Sequence, residues 1–250
     1  MSQYLPTLVE WMGVIAVTLL LTLSPALTHK RPVKFVYPRR ELVISLALLA
    51  VAAAGMVFYL HNAAPPAQPA PGAVRYTQDD LLRQAAVSAS MIAPFLLALA
   101  VRRQPLLSAG LSRRSLRPGL ELGIALGVIA IFLINKTYAI LHGLTGSQVL
   151  YLPAALIAAF AVEFTFRGYL QLRLMDALGE TWGWVVTAVL YALWQIPQKV
   201  FVEHAALPAL GLSLGIALLT GLLLGWIMRR SGSILATTLY HAVHTWITVL

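Results

Sequence analysis

The feature that most limits what this chain can become is the recurrence of apolar runs long enough to cross a lipid bilayer. A helix rises about 1.5 Å per residue, so a hydrocarbon core about 30 Å thick takes roughly 20 apolar residues. Several runs reach that length, and hydropathy places eight apolar segments in all, at Leu8–Leu27, Leu42–Leu60, Leu81–Val101, Gly119–Asn135, Leu150–Leu172, Trp182–Ile196, Leu207–Met228 and Ile234–Leu250. The fourth and sixth are among the shortest. The expected fold is all-α, a polytopic transmembrane helix bundle of about eight helices.

Composition agrees. The chain is 59% hydrophobic and 11% charged, against about a quarter charged in soluble domains. A soluble fold would leave too much apolar surface wet. The net charge of +9 raises the question of nucleic acid, but the basic residues sit in short loops without interleaved aromatics, so no nucleic-acid partner is expected. With no cysteine, disulfides and thiolate sites are excluded. The first Lys or Arg is Lys30, so the N-terminal stretch lacks the positive start of a signal peptide and reads as a retained transmembrane helix.

The loops also predict orientation. With the N-terminus outside, the cytoplasmic side receives Lys30, Arg31, Lys34, Arg39, Arg40, Arg102, Arg103, Arg113, Arg114, Arg117, Arg167, Arg173, Arg229 and Arg230. The outer side keeps Arg75, Arg83, Lys136 and Lys199. This bias predicts eight crossings with both termini outside, and the short loops without organelle signals suit a plasma membrane. A Pro- and Ala-rich stretch, AAPPAQPAPG at 63–72, reads as an outer linker within 62–80. Residues 1–149 are read as an N-terminal group of about four helices and 150–250 as a second domain. The pairs Gly123/Gly127, Gly211/Gly215 and Gly221/Gly225 are spaced for close helix packing.

Against this apolar background, polar residues inside the predicted spans stand out, because each ionisable group there costs on the order of 3 kcal/mol and is expected to face the bundle interior with a partner. Glu163 and Arg167 are four residues apart, on one helix face and within reach of an ion pair, and Gln171 extends that face. The sixth segment carries Tyr191 and Gln195 ahead of Pro197, and the eighth carries Tyr240, His241, His244 and Thr245. His241 and Thr245 share a face, with His244 close to it. Three helices thus converge carboxylate, guanidinium, amide, imidazole and hydroxyl, expected as a polar cavity toward the cytoplasmic half. Glu163, His241 and His244 form a weak metal-ligand set without an HExxH pattern, and no cofactor is expected. A proton relay through the same residues, as in a small proton-coupled transporter, is a less favoured reading, since matching inverted halves are not evident.

Residues 150–250 resemble the CPBP (Abi) family of CAAX-processing and bacteriocin-processing intramembrane proteases. The family's first motif, two glutamates, three residues and an arginine ending Phe-Arg-Gly-Tyr-Leu, corresponds to Val162-Glu163-Phe164-Thr165-Phe166-Arg167-Gly168-Tyr169-Leu170. Its second, an aromatic followed by a histidine before Leu-Pro, corresponds to Tyr191-Ala192-Leu193-Trp194-Gln195-Ile196-Pro197. Its third, a histidine and an asparagine four residues on after Gly-Ser-Ile, corresponds to Gly232-Ser233-Ile234 and His241 with Thr245. The resemblance implies hydrolysis of a membrane-associated peptide or prenylated-protein C-terminus. In that scheme the first glutamate and the second-motif histidine activate water, and the third-motif pair stabilises the oxyanion. Here those two activating positions are Val162 and Gln195, neither a general base near neutral pH. Glu163, Arg167 and His241 are the surviving motif positions, with Gln195, Tyr191, His244 and Thr245 as binding candidates. The expectation is an inactive pseudoprotease; the alternative is a rewired peptidase using Glu163 with His241 or His244.

Overall fold

The computed structural model describes residues 5–23, 33–62 and 76–250. The linker at 63–72 and the charges Lys30, Arg31 and Arg75 lie outside these residues, as does the end of the first expected segment.

Helices occupy all eight expected positions. They are α1 (Leu5–Thr22), α2 (Pro38–Asn62), α3 (Gln78–Val101), α4 (Arg113–Leu133), α6 (Gly146–Glu163), α8 (Glu180–Trp194), α10 (Leu207–Ser231) and α11 (Ile234–Ile247). Short helices α5 (Thr137–Leu141), α7 (Gln171–Leu178) and α9 (Ile196–Phe201) lie between them. Six helical stretches among the described residues are long and apolar enough to cross a membrane, counting Gly146–Leu178 as one of 33 residues. The protein is a polytopic helical bundle. Helices α8 and α11, with 15 and 14 residues, are about 22 and 21 Å long, shorter than the hydrocarbon core. The fourth helix, expected to be short, runs to 21 residues because it begins at Arg113, before the apolar run.

Local chemistry explains the boundaries. Thr77 and Asp80 form a capping box at the start of α3, and Thr145 and Gln148 do the same for α6. Ser233 caps α11, with its hydroxyl accepting from the Leu235 amide. Between α10 and α11 the turn runs through Gly232 at φ +64°, in the left-handed region that glycine enters without steric cost.

Helix α11 is the centre of the bundle, packed between α4 and α6, while α8 packs on α10 and α7, and α1 lies on α4. A Cβ added at Gly123 would come within 2.8 Å of Leu239, and one at Gly127 within 3.0 Å of Val243. The bare backbone of α4 therefore seats α11. Gly221 and Gly225 do the same for α8, against Ala188 and Trp184. Gly211 and Gly215, expected to form a third such pair, have nothing within 4 Å among the described residues, so their spacing reflects no helix contact.

One departure from regular helix lies in the long composite helix. Directly after Glu163, residues Phe164–Leu170 form a π-helix before α7 resumes. Wide turns of this kind are rare and concentrate at functional sites. The segment is buried at every residue, and a Cβ at Gly168 would sit 2.4 Å from the Ala109 carbonyl oxygen. The FRGYL phrase needs its glycine because the backbone of the 3-10 turn Leu106–Ala109 lies directly on it.

Candidate active site

Glu163 is the last residue of α6 and fully buried, with Oε1 hydrogen-bonded and Oε2 facing a guanidinium without a hydrogen bond. Oε1 is 2.9 Å from His241 Nδ1 on α11, and Oε2 is 3.4 Å from Arg167 Nε one turn along. The Thr237 hydroxyl, one turn before His241, donates to the Ile234 carbonyl at 2.9 Å within its own helix. Arg167 is 1% exposed. Its guanidinium lies 4.2 Å above the centre of the Tyr191 ring, and Nη2 reaches the Gly221 carbonyl at 3.5 Å. A cation over an aromatic face is held by the ring quadrupole, so α8 supports the pair through Tyr191. Gln171 continues the face as expected, with Nε2 donating to the Gly225 carbonyl at 2.9 Å.

The structure thus joins Glu163, Arg167, His241 and Tyr191. Gln195, where α8 ends, stands beside Tyr191 at the edge of this group. Val162 packs with Phe166, Leu170, Tyr191 and Trp194 in an apolar cluster. Thr245 is half-buried one turn beyond His241 and takes no part in the Glu163 pairings.

Two expectations are corrected. His244 does not join His241 on the Glu163 face. Three residues along a helix is about 300° of turn, and that offset carries His244 round to α1, where Nδ1 is 2.8 Å from Glu10 Oε1. The Tyr240 hydroxyl donates to the same oxygen at 3.0 Å. His244 therefore stands apart from the Glu163/His241/His244 metal set. No group of three or more His, Cys, Asp or Glu among the described residues is placed to hold a metal. Second, Arg173, counted only among the cytoplasmic loop charges, is buried; Arg167 is buried in the pair expected of it.

Arg173 organises a separate polar cluster. It donates to Glu41 at 3.2 Å, to Gln104 at 2.6 Å, and to the carbonyls of Ser108 and Tyr169 at 3.0 Å each. Its guanidinium stacks 3.5 Å from the Tyr169 ring centre. Arg102 grips the same Glu41 carboxylate through both terminal nitrogens, Nη1 at 2.7 Å, and this hydrogen bonding holds its guanidinium above the ordinary arginine value. The cluster ties α2 to the segment carrying the first motif.

Sequence reasoning missed Glu10 and Glu41. Glu10 carried a usable signal, as a single carboxylate within an apolar run. Glu41 lies near a helix start among arginines and looks like an ordinary surface charge.

The site is thus a buried carboxylate and guanidinium with a partly buried imidazole, drawn from two helices of a membrane bundle and supported by an aromatic from a third. Residues 145–247 match the family described as type II CAAX prenyl endopeptidase Rce1-like, consistent with the CPBP resemblance of the three motifs. No curated protein and no solved structure matches the chain.

Proposed function

We propose that this membrane CAAX-protease-like protein is catalytically impaired and binds, without efficient cleavage, a membrane-associated peptide or a prenylated-protein C-terminus. The proposed setting is the plasma membrane, with the Glu163 cluster in the cytoplasmic half, as the loop charges suggest. One observation carries the reading: Glu163 is 0% exposed, with one oxygen facing His241 and the other Arg167. A carboxylate held by an ion pair and a hydrogen bond and shut from water is poorly suited to take a proton from it. At the neighbouring positions where the family scheme needs its base pair, the chain offers the Val162 side chain in an apolar cluster and an amide at Gln195.

A rewired peptidase is the second reading, favoured by the 2.9 Å pairing of Glu163 with His241 Nδ1. A carboxylate orienting one ring nitrogen leaves Nε2 as the atom facing substrate. Incubating the full-length protein in nanodiscs with a library of farnesylated and unmodified membrane peptides separates the two. The impaired reading expects a silent wild type and cleavage by Val162→Glu/Gln195→His. Cleavage by the wild type that disappears in His241→Ala refutes it and establishes the rewired site.

A further inference from the structure

At the basic end of the bundle, one turn beyond Arg167, a cleft of ≈ 910 Å³ opens between α4, α7 and the end of α10. That volume falls within the roughly 300–1,000 Å³ of small-ligand sites. Its wall carries four basic side chains, Lys34, Arg114, Arg229 and Arg230, against two carboxylates, Asp176 and Glu180. The carboxylates are already matched: Asp176 by Lys34 at 3.2 Å and the Phe35 amide at 3.0 Å, and Glu180 by Arg229 at 3.2 Å. The positive charge left over belongs to Arg114 and Arg230, neither of which forms an ion pair among the described residues. The Arg230 guanidinium lies 5.7 Å from the Trp226 ring centre, and tryptophan beside arginine at the end of a long apolar helix marks headgroup depth.

A second observation points to the ligand. Gln171 lines the same cleft and is 1% exposed, and its Oε1 has no hydrogen-bond partner. Its Nε2 is held by the Gly225 carbonyl, which leaves the amide oxygen as an acceptor awaiting a donor. A buried acceptor left unpaired costs roughly 1–3 kcal/mol. A ligand suited to this wall carries an anion for the two arginines and a hydroxyl for Gln171.

From this we infer that the cleft is a binding site for an anionic phosphodiester headgroup bearing free hydroxyls, supplied by a membrane phospholipid of the phosphatidylglycerol kind. The site is independent of whether the Glu163 cluster cleaves anything. Basic pockets between transmembrane helices attract anionic lipid, each Lys or Arg near the surface contributing about 1 kcal/mol.

Native mass spectrometry of the full-length protein in detergent, with dioleoyl phosphatidylglycerol, phosphatidic acid or phosphatidylcholine added, tests the site. Phosphatidylglycerol is expected to be retained roughly tenfold over phosphatidylcholine, and Arg114→Gln/Arg230→Gln to remove most of that preference. Arg39→Gln/Arg40→Gln takes the same charge from exposed positions outside the cleft and should change retention less than about twofold. Gln171→Met should abolish the preference for phosphatidylglycerol over phosphatidic acid, whose headgroup has no hydroxyl beyond the phosphate. Equal losses in the two arginine pairs, or retention no better than phosphatidylcholine, overturn the cleft as a site. Displacement by millimolar glycerol 3-phosphate would assign the cleft to a soluble phosphate and overturn the lipid assignment.

Discussion

Replacing Glu163 by glutamine removes a charge while keeping shape and hydrogen-bonding capacity, so it isolates electrostatics at the centre of the bundle. Arg167, 1% exposed, loses its anionic partner and keeps the Tyr191 ring and the Gly221 carbonyl. Guanidinium stays protonated in proteins, so the buried charge has no escape by titration. Breaking a buried ion pair from one side typically costs about 3–5 kcal/mol, which in a chain of this size lowers the melting temperature by roughly 6–20 °C. The reverse change, Arg167→Met, is expected to be milder, because an orphaned Glu163 can take up a proton and still bond His241. The double variant Glu163→Gln/Arg167→Met carries no buried charge and should recover most of the loss, as charge-free replacements of buried pairs often do. Thermal unfolding of the four proteins in one detergent, followed by tryptophan fluorescence, reads the cycle. A Glu163→Gln protein within about 1 kcal/mol of the wild type, or an Arg167→Met protein less stable than Glu163→Gln, would refute the argument that the pair compensates a charge the bundle cannot otherwise carry.

Two further outcomes concern the packing around α11. Glu10→Leu should destabilise the protein by about 1–3 kcal/mol, since it leaves the buried Tyr240 hydroxyl without its acceptor, and Glu10→Gln should restore part of the loss; chemical denaturation in detergent measures both. Gly123→Val should cost on the order of 1–3 kcal/mol by forcing α4 away from Leu239, while Gly215→Val, with nothing within 4 Å, should leave the melting temperature unchanged.

Apolar runs are read directly from sequence because spanning a bilayer is a one-dimensional requirement of length and composition. The six stretches long and apolar enough to cross a bilayer were legible for that reason. The Glu163–Arg167 pair was legible too, because one turn of helix brings its members together. Glu10 was not: its partners Tyr240 and His244 lie 230 and 234 positions away, and no local pattern encodes such a contact. Nor were the inward faces of the helices. In lipid both sides of a helix are apolar, so the hydrophobic periodicity that reveals a core face in a water-soluble protein is missing. Arg173 illustrates the consequence, reading as a loop charge at the end of an apolar run yet closing a buried network with Glu41. The π-helix at Phe164–Leu170 has no signal of its own, as it is settled by what packs against Gly168 and Tyr169. Length and composition alone set the bilayer as solvent and the spanning stretches. Which polar groups meet follows from packing, because the cost of burying a charge depends on its partners, and those are assembled from distant parts of the chain.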